Sequence, residues 1–157
     1  MCTGLSVDRR AIPAELIQKY RLEDSIAKRS ANADDEIQFH FNAPKALLPV
    51  QHGNRLDICE WGNRDNKMSR LPRTGWANIE SVESGKWKYM KPEEVIIPAS
   101  IGFDKGIWFQ ITEGIKGIMV KDEAGKPHLY MLTQAASHYY KVMTRNDREP
   151  IFVGEQI

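Results

Sequence analysis

Few residue types in this chain can do covalent chemistry near neutral pH. There are two cysteines, Cys2 and Cys59, and four histidines. The cysteines stand far apart without CxxC spacing, which argues against a disulfide framework or a zinc site and for reduced thiols in a cytosolic-type compartment. His40, His52, His128 and His138 fit no catalytic motif and read as surface or half-buried side chains. A thiol hydrolase of the usual kind therefore finds no histidine or aspartate partner at motif spacing. No metal and no organic cofactor is expected. Non-covalent chemistry is better represented. Residues 63–73 carry Arg64, Lys67, Arg70 and Arg73 with only Asp65 opposing, and Trp61 and Trp76 flank the segment. Cations beside aromatic faces suit single-stranded DNA, with phosphates on the first and stacked bases on the second. The competing reading is that both tryptophans are core and the loop is merely solvated. Lys86 to Lys91, with Trp87 and Tyr89, forms a weaker cluster of the same kind.

The elements that must position these residues are mainly strands. A chain of 157 residues, 41% hydrophobic and 27% charged, is read as one domain spanning 1–157 with a single core. Its net charge of +1 does not advertise a polyanion partner, although a groove depends on how charge is distributed rather than on its sum. Asp8, Arg9 and Arg10 fall where a signal peptide needs an apolar run, and no stretch reaches bilayer-spanning length. The expectation is a soluble, cytoplasmic monomer without a membrane partner. Ile12, Leu16, Ile17 and Tyr20, with Pro13 in the first turn, predict a helix over about 13–21. Residues 22–36 read as a surface loop, and Phe39-His40-Phe41 as a strand entering a turn at Asn42-Ala43-Pro44. Further strands are expected at 56–62, 77–82, 95–98, 107–111, 115–120, 128–132 and 151–153. Thr133 reads as the N-cap of a helix over about 134–143. With few helices and no βαβ rhythm, the class is α+β: a mostly antiparallel, barrel-like sheet with a few short helices.

Taken in order, several fragments resemble the SOS response-associated peptidase (SRAP) family. That family begins Met-Cys, as Met1-Cys2 do here. Its Asn-x-Ala-Pro turn and following Pro-Val strand are matched by Phe41-Asn42-Ala43-Pro44 and Pro49-Val50, and its Trp-Gly strand by Glu60-Trp61-Gly62. The strand before its catalytic acid is similar to Val95-Ile96-Ile97-Pro98-Ala99. Gly114-Ile115-Lys116-Gly117-Ile118, Leu132-Thr133-Gln134-Ala135 and Arg148-Glu149-Pro150 continue the series.

The resemblance implies a protein of the DNA damage response that loses Met1 and uses Cys2 to cap abasic sites in single-stranded DNA. The freed α-amine condenses with the open sugar aldehyde, and the thiol closes a five-membered thiazolidine, giving a covalent cross-link. The same family processes its own N-terminus, hence peptidase. The implied catalytic set is Cys2, Asp104, Asn78 and Asn146, and the implied DNA contacts add Pro44, Trp61 and Arg148 to Arg64, Arg70, Arg73 and Trp76. The chain also departs from the pattern. Asp104 stands where the family has glutamate, and Asn146 where it has histidine, which removes a titrating group and leaves only hydrogen bonding. Aligned on Ala77, Glu80 and Ser81, the family's asparagine becomes Trp76 and its phosphate-binding arginine Asn78; a two-residue slip would instead put Asn78 at the asparagine. Gly4 stands where another arginine is expected. These changes suit a divergent, phage-type member, and they leave open a second reading, an attenuated single-stranded DNA-binding module that does not cross-link.

Overall fold

In the computed structural model, which describes residues 1–154, the strands divide between two sheets. The chain enters through β1 (Gly4–Asp8), passes a short helix α1 (Ala14–Lys19), and returns as β2 (Ile26–Ala27) and β3 (Glu36–His40). It then builds β4 (Leu47–His52) and β5 (Arg55–Trp61), and, after the long loop, β6 (Trp76–Asn78) running into α2 (Ile79–Glu83). β7 (Glu93–Ile97), the hairpin β8 (Ile101–Asp104) and β9 (Ile107–Gln110), β10 (Ile115–Lys121) and β11 (Pro127–Ala135) follow. The described chain closes with α3 (His138–Thr144) and β12 (Arg148–Pro150).

Strands β10, β7, β4, β5 and β11 are hydrogen-bonded in that order, and β11 pairs back onto β10, so the five close into a barrel. Closure leaves this part of the sheet without unpaired edges. Its pairings are antiparallel except where β11 runs parallel to β5. β6 also joins β11 in parallel, and β12 joins it antiparallel. The second sheet, ordered β2-β3-β1-β8-β9, is wholly antiparallel, with β1 at its centre. The fold is therefore the α+β, largely antiparallel, barrel-like class expected.

One hydrophobic cluster runs through both sheets. Leu48, Val50, Ile58, Ile97, Leu129 and Met131 from the barrel pack with Cys2, Leu5, Val7, Ile37, Phe39 and Phe109 from the second sheet. Alternate residues of β10 and β11 point the other way, into a second cluster with Leu71, Trp87 and Met90 under the long loop. This explains why His128-Leu129-Tyr130-Met131-Leu132 is buried at every position rather than at alternate ones: both faces of β11 are covered.

Four expectations need correction. The segment 77–82 is a strand only to Asn78. Ile79 and Val82, three apart, then pack on the second cluster, a helical spacing rather than a strand's. Thr133 is not a cap. It is fully buried inside β11, and the cap of α3 is Ser137, whose hydroxyl accepts from the Tyr140 N–H. The 22–36 segment is not all surface loop, because Leu22 is buried, β2 pairs with β3, and Glu36 is buried against Arg29. Closure near residue 151 is made by β12 just before it, with Phe152 adding a single bridge to Ile115.

Phe41, Trp61 and Trp76 meet in a three-ring cluster with centroids 4.8 to 5.8 Å apart. Gly75 lies against it, and a Cβ there would sit 2.7 Å from both Phe41 Cε1 and Trp61 Nε1. Packed rings cannot swing away as a flexible tip can, so Gly75→Ala should destabilise by about 1–3 kcal/mol. A thermal melt should show a drop of roughly 2–4 °C per kcal/mol for a domain of this size.

Candidate functional site

Cys2 stands two residues before the central strand of the second sheet, and the ladder continues through the residue between them: Thr3 N–H donates to Phe103 O, and Phe41 N–H to Thr3 O. From the barrel side, Trp76 Nε1 donates to Cys2 O at 3.0 Å. The residue is thus clamped by both sheets and is fully buried. Its Sγ lies 3.0 Å from Gly4 O, to which it donates. Burial pushes the thiol up to about 12, with the charge of Asp104 adding to the effect, while hydrogen bonds at the Phe103 and Gly4 backbones and the terminal ammonium act the other way. With Met1 in place this is a protonated, unreactive thiol.

Beside it, Asp104 ends β8 and opens the turn to β9. Lys105 and Gly106 take positive φ of 47° and 82°, the two left-handed positions of a two-residue hairpin turn. The turn and the inward carboxylate coexist because strand alternation sends Asp104 to the core, where it is 1% exposed. Three donors converge on it. The Met1 ammonium lies 3.3 Å from Oδ2, the Tyr140 hydroxyl donates to Oδ2 at 2.6 Å, and Asn146 Nδ2 lies 3.3 Å from each oxygen. Burial, the bond to Asp104 and the nearby Cys2 hold the Tyr140 phenol well above its ordinary range, so it stays a neutral donor. Tyr140 and Asn146 come from α3 and the residues after it. That segment is anchored by Glu149, whose Oε1 accepts from the Ser137 N–H and whose Oε2 accepts from Gln134 Nε2.

The structure therefore brings Cys2, Asp104 and Asn146 together and adds Tyr140, which the sequence reading passed over. Nothing in the local pattern singles out Tyr140. It is the buried partner of an adjacent pair whose other member, Tyr139, is 65% exposed. Asn78 lies one step further along β6 than Trp76, on the same strand face. Its side-chain oxygen accepts from the Thr133 hydroxyl at 3.0 Å. Arg148 reaches the same place, pairing both guanidinium nitrogens with Glu80 at 2.7 and 3.0 Å and donating to Thr133 O. In the ungapped register, Trp76 rather than Asn78 is the residue in contact with Cys2.

The DNA-binding candidates are mostly engaged elsewhere. Trp61 is fully buried and donates through Nε1 to Gly75 O, so it cannot present a face to a base. Arg64 donates to the carbonyls of Phe41, Ala43 and Pro44 and pairs with Asp65; it ties down the 42–44 turn. Arg70 donates weakly to Lys121 O, and Glu123 accepts from the Arg70 N–H and the Ser69 hydroxyl, bringing an acid into the loop. Arg73 is exposed and Pro44 lies at the surface. Trp87, from the weaker cluster, is buried against Tyr130. His128 is also a correction: it is buried, with Nδ1 2.8 Å from Gly62 O and Nε2 2.9 Å from Asp122. Cys59 lines a separate cavity of about 760 Å³ with Pro44 and Arg64, and burial pushes its thiol up to about 12 as well. Among the described residues, no group of three His, Cys, Asp or Glu side chains could hold a metal, and no helix is long and apolar enough to cross a membrane.

No model of a known protein family matches the chain, and no curated protein does. What the site can do follows from its own chemistry: it holds a chain-terminal amine on a buried carboxylate, next to a buried thiol, with two neutral donors fixing that carboxylate.

Both cysteines should resist a thiol reagent at pH 8 while Met1 is retained and react fully in denaturant. Because the folded thiols keep their protons to about 12 while unfolded ones release them near 9, the unfolded state binds fewer protons across that window. Stability should therefore fall as pH rises from about 9 toward 12, a loss removed in part by Cys59→Ala and measured by denaturant titration.

Proposed function

We propose that this chain binds single-stranded DNA and, once Met1 is removed, caps abasic sites through Cys2, in the manner of the SRAP family that its sequence resembles. The observation that carries the reading is the Met1 ammonium 3.3 Å from the 1%-exposed carboxylate of Asp104, with the Cys2 thiol buried alongside. An amine delivered to a buried carboxylate next to a thiol is what aldehyde capture needs. Loss of Met1 makes the Cys2 nitrogen the terminal amine and uncovers the thiol. That nitrogen attacks the aldehyde carbon, and a proton passes to the former carbonyl oxygen. Water then leaves to give an imine. Sγ adds to the imine carbon, the C=N electron pair returns to nitrogen, and the thiol proton ends there. The product is a thiazolidine plus one water, with no change of oxidation state. Asp104 orients the amine and takes its proton before attack, then returns one to the departing hydroxyl. Tyr140 and Asn146 are positioning residues that hold the carboxylate.

A second reading, a single-stranded DNA-binding module without cross-linking, is favoured by one specific feature. Asn146 cannot shuttle a proton, so all acid–base work falls on Asp104.

Incubation of Met1-processed protein with an abasic single-stranded oligonucleotide, followed by a denaturing gel, distinguishes the two. A covalent band that disappears in Cys2→Ala supports capture; retardation on a native gel with no covalent band sinks it and leaves the binding module. Asp104→Asn keeps an acceptor for Tyr140 but cannot take a proton. It should slow band formation by 10²-fold or more, whereas Tyr140→Phe should slow it less and leave the dependence on Cys2 intact.

A further inference from the structure

The capture reading leaves open which surface holds the strand, since Trp61 is buried and Arg64 is tied to a turn. Met1 has a 40%-exposed side chain while its ammonium reaches the 1%-exposed Asp104, so it marks the opening through which a lesion would approach Cys2. Two elements border that opening. One is the β8–β9 turn, which carries Asp104 and, next to it, Lys105. The other is α3 with its C-terminal residues, which send Tyr140 and Asn146 to the same carboxylate. Lys105 Nζ donates to Arg145 O at 2.9 Å, so the two elements form one continuous rim.

The outer side of that rim has a definite chemistry. Tyr140 and Thr144, four residues apart, face the core, which turns Lys141, Val142 and Arg145 outward. Tyr139 is 65% and Val142 67% exposed, the most open large hydrophobic side chains after Met68 among the described residues. Lys141 and the Arg145 guanidinium are exposed and have no acidic partner among the described residues. Lys105 adds a third cation beside them. The acids in this stretch are Asp147, which is exposed, and Glu149, which is buried and bonded to Ser137 and Gln134. The rim is thus net positive with an exposed ring and an aliphatic side chain, beside the proposed chemistry. In the 63–73 loop, by contrast, Glu123 approaches the cations and both flanking tryptophans belong to the ring cluster.

We infer that the outer face of α3 and the adjoining β8–β9 turn are the binding surface for the single strand, with Lys105, Lys141 and Arg145 on the phosphates and Tyr139 stacking on a base. Charge complementarity commits the surface to a polyanion, and the exposed ring to one with unpaired bases. This inference rests on the capture reading only in assuming that the strand is the ligand.

The test is fluorescence anisotropy of an intact, lesion-free oligothymidylate against salt, using the full chain. In Lys141→Ala/Arg145→Ala, affinity should fall at least tenfold at low salt, and the slope of log K against log salt should shrink by roughly 0.7 for each cation removed. Tyr139→Ala should cost about fivefold or more with the salt slope unchanged, because stacking is not a counterion effect. Arg70→Ala/Arg73→Ala serves as the contrast and should leave binding within about twofold. All substituted side chains are exposed, and unchanged thermal melts would keep folding out of the comparison. Undiminished binding in both α3 variants, or a loss confined to the Arg70/Arg73 variant, overturns the assignment while leaving the capture reading intact. Self-association that vanishes in Val142→Glu, with DNA affinity unaltered, also overturns it, making the face a contact between copies. Absence of any binding by the native chain overturns this inference and the capture reading together.

Discussion

A carboxylate that is 1% exposed needs a donor on every side, and much of this structure is organised around meeting that need at Asp104. The donors come from the chain's first residue, from α3 and from the segment that follows it. None is near Asp104 in sequence. For all three to arrive, β1 must lie between β3 and β8 so that Met1 reaches the end of β8, and α3 must be returned across the barrel by β11. Removing any one donor leaves a buried charge short of a partner, a loss of about 1–3 kcal/mol or more, so the hydrogen-bonding demand and the topology support each other.

The same arrangement explains why the Cys2 thiol is quiet. Cys2 is held at its carbonyl by Trp76, through its neighbour by Phe103 and Phe41, and at its thiol by Gly4 O. Gly4 is constrained in turn: a Cβ there would lie 2.4 Å from His40 Nδ1 and 3.2 Å from Phe39 O. Trp76 both donates to the Cys2 carbonyl and completes the ring cluster with Phe41 and Trp61. Aromatic packing thus lies directly behind the Cys2 backbone.

The charged residues show how unreliable a count of cations is as a guide to a surface. Arg64 and Arg148 belong to motifs that suggest contact with DNA, yet one guanidinium is folded onto three backbone carbonyls and the other is paired with Glu80, whose carboxyl it holds down at about 2. A planar guanidinium with five donors is well suited to such internal bracing. Lys141 and Arg145, which belong to no motif, are exposed, as is Arg73 of the 63–73 loop.

Local sterics and the partition of apolar side chains operate over a few residues, and what depends on them could be read directly. The strands over Leu56 to Trp61 and along the apolar run of β11 fall in this group. The class of the fold belongs there too. Where the reading failed, a distant contact had overridden a local preference. Thr133 has a cap's side chain, but its hydroxyl is used by Asn78 and its backbone by β12. Trp61 has a stacking ring, but closure of the barrel buries it. Tyr140 differs from Tyr139 in nothing but the direction it faces, and only the packing of α3 on the end of β8 turns one toward Asp104 and the other toward solvent. Sequence alone determined which segments could be strands and which groups were chemically capable; strand order and barrel closure decided which of those groups meet, because residues 1, 76, 104, 140 and 146 become neighbours through register across two sheets.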